Sequence, residues 1–118
     1  MASDASHASR EPRGLSELLA RYQRVTREAL ALAKAAPVIR ERETAIELDM
    51  VSRYVADADF LAAKGDEARA LAALSYAHGW LDCGARLGYF IVTDERLFTV
   101  DAAEMRALLE RHRRGPSA

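Results

Sequence analysis

Between Gly65 and Gly88 the chain runs without proline, and its apolar residues fall on two opposite sides. With residues set about 100° apart, Leu71, Leu74, Ala77, Leu81 and Ala85 share one face. Tyr76, Trp80, Cys83 and Leu87 share a second face, nearly opposite. A narrow polar strip of Ser75, His78, Asp82 and Arg86 separates them, and His78–Asp82 and Asp82–Arg86 are neighbours one turn apart. A helix that is apolar on two sides must be covered on two sides. The first face suits other helices; the second requires a hairpin, a further helix or another protein. Gly79 and Gly84 lie inside this helix, where each costs about 1 kcal/mol relative to alanine. Such a cost signals a neighbour's close approach or simply sequence history; at Gly79, beside the polar strip, a near neighbour can be a backbone or a ligand.

The remaining segments read as partners for this rod. An apolar stripe of Leu15, Leu18, Leu19, Tyr22, Val25, Ala29, Leu32 and Ala33 predicts a first helix from about Leu15 to Ala35. A second stripe, Ile46, Met50, Tyr54, Ala58 and Leu61 with Val51 and Val55 beside it, predicts a second helix. Its start is open: Thr44 with Glu47 forms a capping box, and a start just after Pro37 reads equally well. Gly65 stops that helix, Asp66 caps the next, and Gly88 closes the third in a left-handed conformation with Tyr89 packing back. The turn Lys64-Gly65-Asp66 is short enough to make its helices antiparallel.

Tyr89–Val92 and Leu97–Val100 are short β-type runs around Thr93-Asp94-Glu95-Arg96, a pattern that predicts a small hairpin leaning on the helices. Asp101 with Glu104 opens a fourth helix through Met105, Leu108 and Leu109, ended by Gly115-Pro116. The expected fold class is therefore all-α: an up-and-down antiparallel three-helix bundle with a short β-hairpin and an additional C-terminal helix. Its divisions are a disordered lead over residues 1–13, the bundle and hairpin over 14–100, the C-terminal helix over 101–114 and a tail over 115–118.

Composition narrows the function classes. With 17 Lys+Arg against 18 Asp+Glu the formal net charge is -1, which disfavours wholesale phosphate binding. One cysteine, Cys83, excludes an intramolecular disulfide framework and a cysteine-rich zinc site. No uninterrupted apolar stretch of about 18 residues exists, so no membrane span is expected.

Three blocks also carry a resemblance: Lys64-Gly65-Asp66, then Ala70-Leu71-Ala72-Ala73-Leu74-Ser75-Tyr76-Ala77-His78-Gly79-Trp80-Leu81-Asp82, then Gly84-Ala85-Arg86-Leu87-Gly88. Together with Leu97-Phe98-Thr99-Val100, these make residues 15 to 100 similar to the archaeal family called domain of unknown function 357. The resemblance implies a small three-helix bundle, an archaeal source and a cytoplasmic setting, and it implies no activity. The N-terminal lead and the basic C-terminal helix are additions to that family's pattern.

Read for chemistry, the chain offers little. His78 and Asp82 suggest a proton-handling pair or half a metal site, but a metal needs three or four ligands, and the other histidines, His7 and His112, lie outside the bundle. The alternative is that Asp82 hydrogen-bonds His78 or Arg86 and ties the third helix to a neighbour. Cys83 lacks a base one turn away, so buried packing is the expected role. Tyr76 and Trp80 suit packing under the hairpin, or a protein-interaction hot spot if exposed; only Arg69 shares their face to assist base stacking. Arg106 and His112 match the Arg-x5-His spacing of HEPN-type ribonucleases, a two-residue pattern of low specificity. Arg111, Arg113 and Arg114 are explained by the helix dipole.

No catalytic residue, metal or cofactor is therefore assigned. The expectation is a non-enzymatic interaction or regulatory module. It docks through the face of Tyr76, Trp80, Cys83 and Leu87 onto a protein partner or a second copy. Two other readings stand beside it. One is an RNA-related helical protein, binding or cleaving through Ser75, His78, Asp82 and Arg86 or the Arg-rich tail. The other is a small-ligand bundle with a pocket beside Gly79.

Overall fold

A computed structural model of the chain describes residues 14–116. The expected disordered lead over 1–13 and the last two residues of the tail lie outside the described residues. Four helices follow in order: α1 Leu15–Ala35, α2 Glu41–Ala63, α3 Glu67–Arg86 and α4 Ala102–Arg114. The first three form an up-and-down bundle in which α3 packs most extensively on α2 and then on α1. At one end Ser16 Oγ donates to the Glu67 carboxylate at 2.8 Å, fixing the starts of α1 and α3 side by side. Further along, Arg27 of α1 pairs with Asp59 of α2.

The helix ends are built as the glycine positions require. Gly65 (φ 83°) and Gly88 (φ 76°) both adopt the left-handed conformation. After α2 the amide of Asp66 reaches the Leu61 carbonyl and that of Gly65 reaches Ala62. After α3 the amide of Tyr89 reaches Gly84 and that of Gly88 reaches Ala85. Each pair satisfies two carbonyls that a bare helix end would leave orphaned. Asp66 Oδ1 accepts from the Arg69 amide at 3.3 Å, and Asp101 Oδ1 accepts from Glu104 at 2.9 Å, so both expected caps are made.

The second helix starts at Glu41, after Arg40, and the Thr44–Glu47 capping box is not formed. Thr44 instead donates its hydroxyl to the Tyr89 carbonyl at 3.0 Å, and Glu47 is buried. The buried stripe of α2 is Thr44, Glu47, Val51, Val55 and Ala58, rotated from the expected one, and it leaves Ile46 59% exposed. In α1 the buried set is Leu19, Thr26, Ala29, Leu30 and Ala33, while Leu15 and Leu32 face outward.

No hairpin forms among the described residues. The two β-type runs find separate partners instead of each other. Phe90 makes a single antiparallel bridge to Val38, just before α2, with Ile91 N donating to Pro37 O and Ile39 N to Tyr89 O, each at 2.9 Å. The second run, Leu97–Val100, is a bent strap held against the polar strip of α3. Between them a tight turn forms in which the Phe98 amide reaches the Asp94 carbonyl and the Arg96 amide reaches the Asp94 side chain. Two sequentially close strands pair only when nothing better competes for their amides. Here the 37–39 segment and the polar side of α3 both compete. Phe90 and Phe98 meet edge-on, with ring centroids 6.4 Å apart, inside the core.

Helix α4 is fastened by little: Met105 is buried, and Leu108 sits where a Cβ on Gly88 would lie, 2.5 Å from its Cδ2. Gly88→Ala is therefore expected to lose about 1–2 kcal/mol from the left-handed backbone alone, and more from the Leu108 clash. Urea unfolding, with Gly14→Ala as a control at an open glycine, measures the difference.

Candidate functional site

The polar strip of α3 does not converge on an open reactive centre; it holds the strap. His78 Nε2 lies 2.9 Å from the Leu97 carbonyl oxygen, and Nδ1 lies 3.3 Å from Thr26 Oγ1. Because a carbonyl only accepts, Nε2 carries the proton, and in the neutral ring Nδ1 accepts from the fully buried Thr26 hydroxyl. Both ring nitrogens are thereby engaged. Asp82 Oδ1 accepts from the Thr99 amide, and Arg86 donates to the Thr99 carbonyl at 3.4 Å. The expected tie to a neighbour is present, but Asp82 makes it with the strap's backbone instead of with His78 or Arg86. Ser75 is exposed and takes no part in the cleft that the other three line.

That cleft, about 800 Å³, lies between α3, the strap and the start of α4. Its acidic groups serve the backbone: Glu95 accepts from the Ala102 amide at 2.9 Å, and Asp101 caps α4. Arg96 pairs with Asp94 at 3.0 Å and with Glu28 of α1 at 3.6 Å. The Arg96 hydrogen bond holds the Asp94 carboxyl below the usual range, and Asp94 in turn raises Arg96. Among the described residues no three His, Cys, Asp or Glu side chains gather as a metal site requires. Arg106 and His112 are both exposed on α4, and six helical residues set them about 120° apart around its axis.

The second apolar face of α3 is the more distinctive surface, and neither a hairpin nor α4 covers it. Tyr76 is 50% exposed, Trp80 39% and Leu87 60%. Cys83 is also exposed, which corrects the expectation of a buried thiol. Tyr76 and Trp80 are not packed under the two runs: the first bridges to Val38, and the second is held on the polar strip by His78 and Asp82. Tyr76 contacts Tyr54 of α2 (centroids 4.9 Å) and Trp80 edge-on (6.2 Å). Ile46 and Met50 precede Tyr54 at one-turn intervals, so the apolar surface continues along the flank of α2. Between Ala70 and Ala85 the exposed residues of α3 are Ala72, Ser75, Tyr76, Gly79, Trp80 and Cys83, and none is charged. Gly79 itself faces open space: a Cβ there would meet nothing within 4 Å, and the cleft beside it is lined by its neighbours His78 and Asp82 instead.

One residue read only as half of a capping box has a different place. Glu47 is 5% exposed at the α2–α3 contact, and its Oε1 has no hydrogen-bond partner. A Cβ on Gly84 would fall 2.0 Å from that oxygen, so Gly84 is the close approach that its interior position signalled. Burial pushes the Glu47 carboxyl from 4.5 up to about 7, opposed in part by the nearby Gly84 amide. The signal was the spacing itself: Thr44, Glu47, Val51, Val55 and Ala58 repeat at three and four, and a glutamate on an apolar period is a buried glutamate.

The sequence model of the family described as protein of unknown function (DUF357) matches residues 21–90, more than half of the chain. The chain belongs to that family. No curated protein and no solved structure matches it significantly. The matched span covers most of α1, all of α2 and α3, and the closing turn; α4 and the tethered strap lie beyond it. No helix among the described residues is long and apolar enough to cross a membrane.

The two polar features generate separate expectations. Asp82→Ala is expected to speed amide exchange at Thr99 and to cost about 1 kcal/mol, the worth of one hydrogen bond with its partner freed to water. For Glu47, the folded state holds its proton more tightly than the unfolded chain does. Stability is then highest below pH about 4.5 and falls as pH rises toward 7, by up to about 3 kcal/mol. Glu47→Gln is expected to flatten that dependence, as read from denaturant midpoints taken from pH 4 to 8.

Proposed function

We propose that this chain is a non-enzymatic helical interaction module that docks a protein partner on the outer face of α3. The observation that carries the reading is the uncharged, aromatic, exposed surface of Tyr76, Trp80, Cys83 and Leu87, extended by Ile46 on α2. Helices that face water normally carry charge on their outward side. Large exposed aromatics at one-turn spacing are the residues that dominate interface energetics when a partner excludes water from them. The polar strip supports the reading from the other side. Its side chains are committed to anchoring the strap, so the strap is held away from the aromatic face and leaves it open.

The reading makes α3 a two-sided element. Leu74, Ala77, Leu81 and Ala85 hold the bundle together, and the opposite flank is presented by a backbone that the bundle keeps rigid. A preformed face of this kind binds at little conformational cost. A photo-crosslinking residue substituted at Tyr76 tests it in cells carrying the full chain. A discrete adduct is expected from position 76 and not from the exposed control position Ala31, and it is expected to vanish when Leu87→Asp is added. Leu87 is 60% exposed, so that change is expected to alter monomer stability by no more than about 0.5 kcal/mol. Absence of any adduct at position 76, or an adduct indifferent to Leu87→Asp, overturns the reading.

A further inference from the structure

Gly79 has no reason to be glycine within the isolated chain. It sits mid-helix with an ordinary helical backbone, is exposed, and has open space where a Cβ would stand. Gly84, by contrast, is required by Glu47, and Gly88 by its left-handed φ. At Gly79 the helix gives up propensity with no internal compensation.

Beside Gly79 the surface has a ridge and a furrow on the same helix. Tyr76 and Trp80 form the ridge; Ala72, Ser75 and Gly79 form a furrow of small side chains next to it. We infer that the occupant of this face is a second copy of the chain, the two α3 helices crossing antiparallel about a two-fold axis near Gly79, each ridge seated in the other's furrow. This rests on the docking reading above and names its partner.

Two features favour a self-partner over a foreign one. On a two-fold axis each residue meets its own counterpart or a near neighbour, so any charge there faces a like charge. The exposed side of α3 is free of charge across that region and regains it only at Arg69 and Arg86. A foreign partner imposes no such restriction and is usually selected by complementary charges.

Secondly, the area suffices. The exposed parts of Ile46, Tyr76, Trp80 and Leu87 amount to about 400 Å² per copy, taking about half of a large side chain's area for each. With the furrow residues, Cys83 and the stem of Arg69 the patch is about 700 Å² per copy, or about 1,400 Å² in total, within the range of roughly 1,200–2,000 Å² of specific interfaces.

Sedimentation of the full chain from about 1 µM to 1 mM tests the inference. The wild type is expected to reach twice the monomer mass. Gly79→Glu is expected to remain a monomer with unchanged helical circular dichroism, because the position is open in the monomer and glutamate is the better helix former. Ala31→Glu, which adds the same charge on exposed α1 surface, is expected to dimerise like the wild type. Trp80 is the only tryptophan, so its emission is expected to shift to the blue on dimer formation in the wild type and not in Gly79→Glu. A wild type that stays monomeric throughout, or an assembly that Gly79→Glu leaves intact, overturns the inference. A monomer that still gives a specific adduct from position 76 to another protein overturns the second copy as occupant while leaving the docking face standing.

Discussion

The bundle depends on close approach between helices whose facing side chains are small. Ala29, Ala33, Ala58, Ala70, Ala77 and Ala85 are all fully buried. Alanine at a contact brings helix axes toward the near end of the usual spacing of about 8–10 Å. It also leaves little apolar area per residue to bury, so the larger members of the core, Leu74, Leu81, Val51 and Phe90, carry a disproportionate share of the hydrophobic stabilisation. Phe90 and Phe98 belong to neither helix layer. They come from the connection after α3 and complete the core from outside it, which is why that connection must be held in place.

It is held by polar chemistry on the side of α3 that the other helices leave uncovered. The turn at its start satisfies only part of the strap's backbone, the Leu97 and Phe98 amides reaching the Asp94 carbonyl, so the other amides and carbonyls that face the helix need side-chain partners. His78, Asp82 and Arg86, at one-turn spacing, present a donor to Leu97 O, an acceptor to Thr99 N and a donor to Thr99 O. The same spacing that suggests a reactive dyad or triad serves to hold a strap against a helix. The engagement of both His78 nitrogens decides for the strap.

Much of this was legible in the residues. The glycines at 65 and 88, the caps at Asp66 and Asp101, the span of α1 and the core face of α3 follow from local rules that no tertiary contact overrode. What the residues did not disclose were choices between competing partners. Tyr89–Val92 and Leu97–Val100 each have strand-like composition, but whether they pair with one another or with Val38 and α3 depends on surfaces assembled from distant sequence. The rotation of α2 was misjudged for a related reason. Ile46, Met50 and Tyr54 form as good a period as Thr44, Glu47, Val51 and Val55, and hydrophobicity favours the former. Packing favoured the latter, because the polar groups found specific accommodation: Thr44 reaches the Tyr89 carbonyl, and Glu47 lies against a glycine. Of the candidate site, the membership of both α3 faces was readable and their coverage was not, since coverage is a property of the strap's route.

Glu47 shows what that rotation costs. A carboxyl with an unpartnered oxygen in a buried contact stabilises nothing by itself, and burial acts to keep it protonated. Yet turning Glu47 outward would mean turning α2 about its axis, which would carry Ile46 and Tyr54 toward the core and remove the apolar flank that continues the outer face of α3. The buried glutamate and the exposed isoleucine are thus two consequences of one helix orientation. The opposite orientation would hydrate the acid and bury the isoleucine, but it would also turn the buried Val51 and Val55 outward. The present orientation is the one that packing favours, and its two penalties, with the helix-weakening Gly79, fall beside the same outer face. Local departures from the most stable choice are expected at functional surfaces, and the proposed docking on that face is where they would be offset.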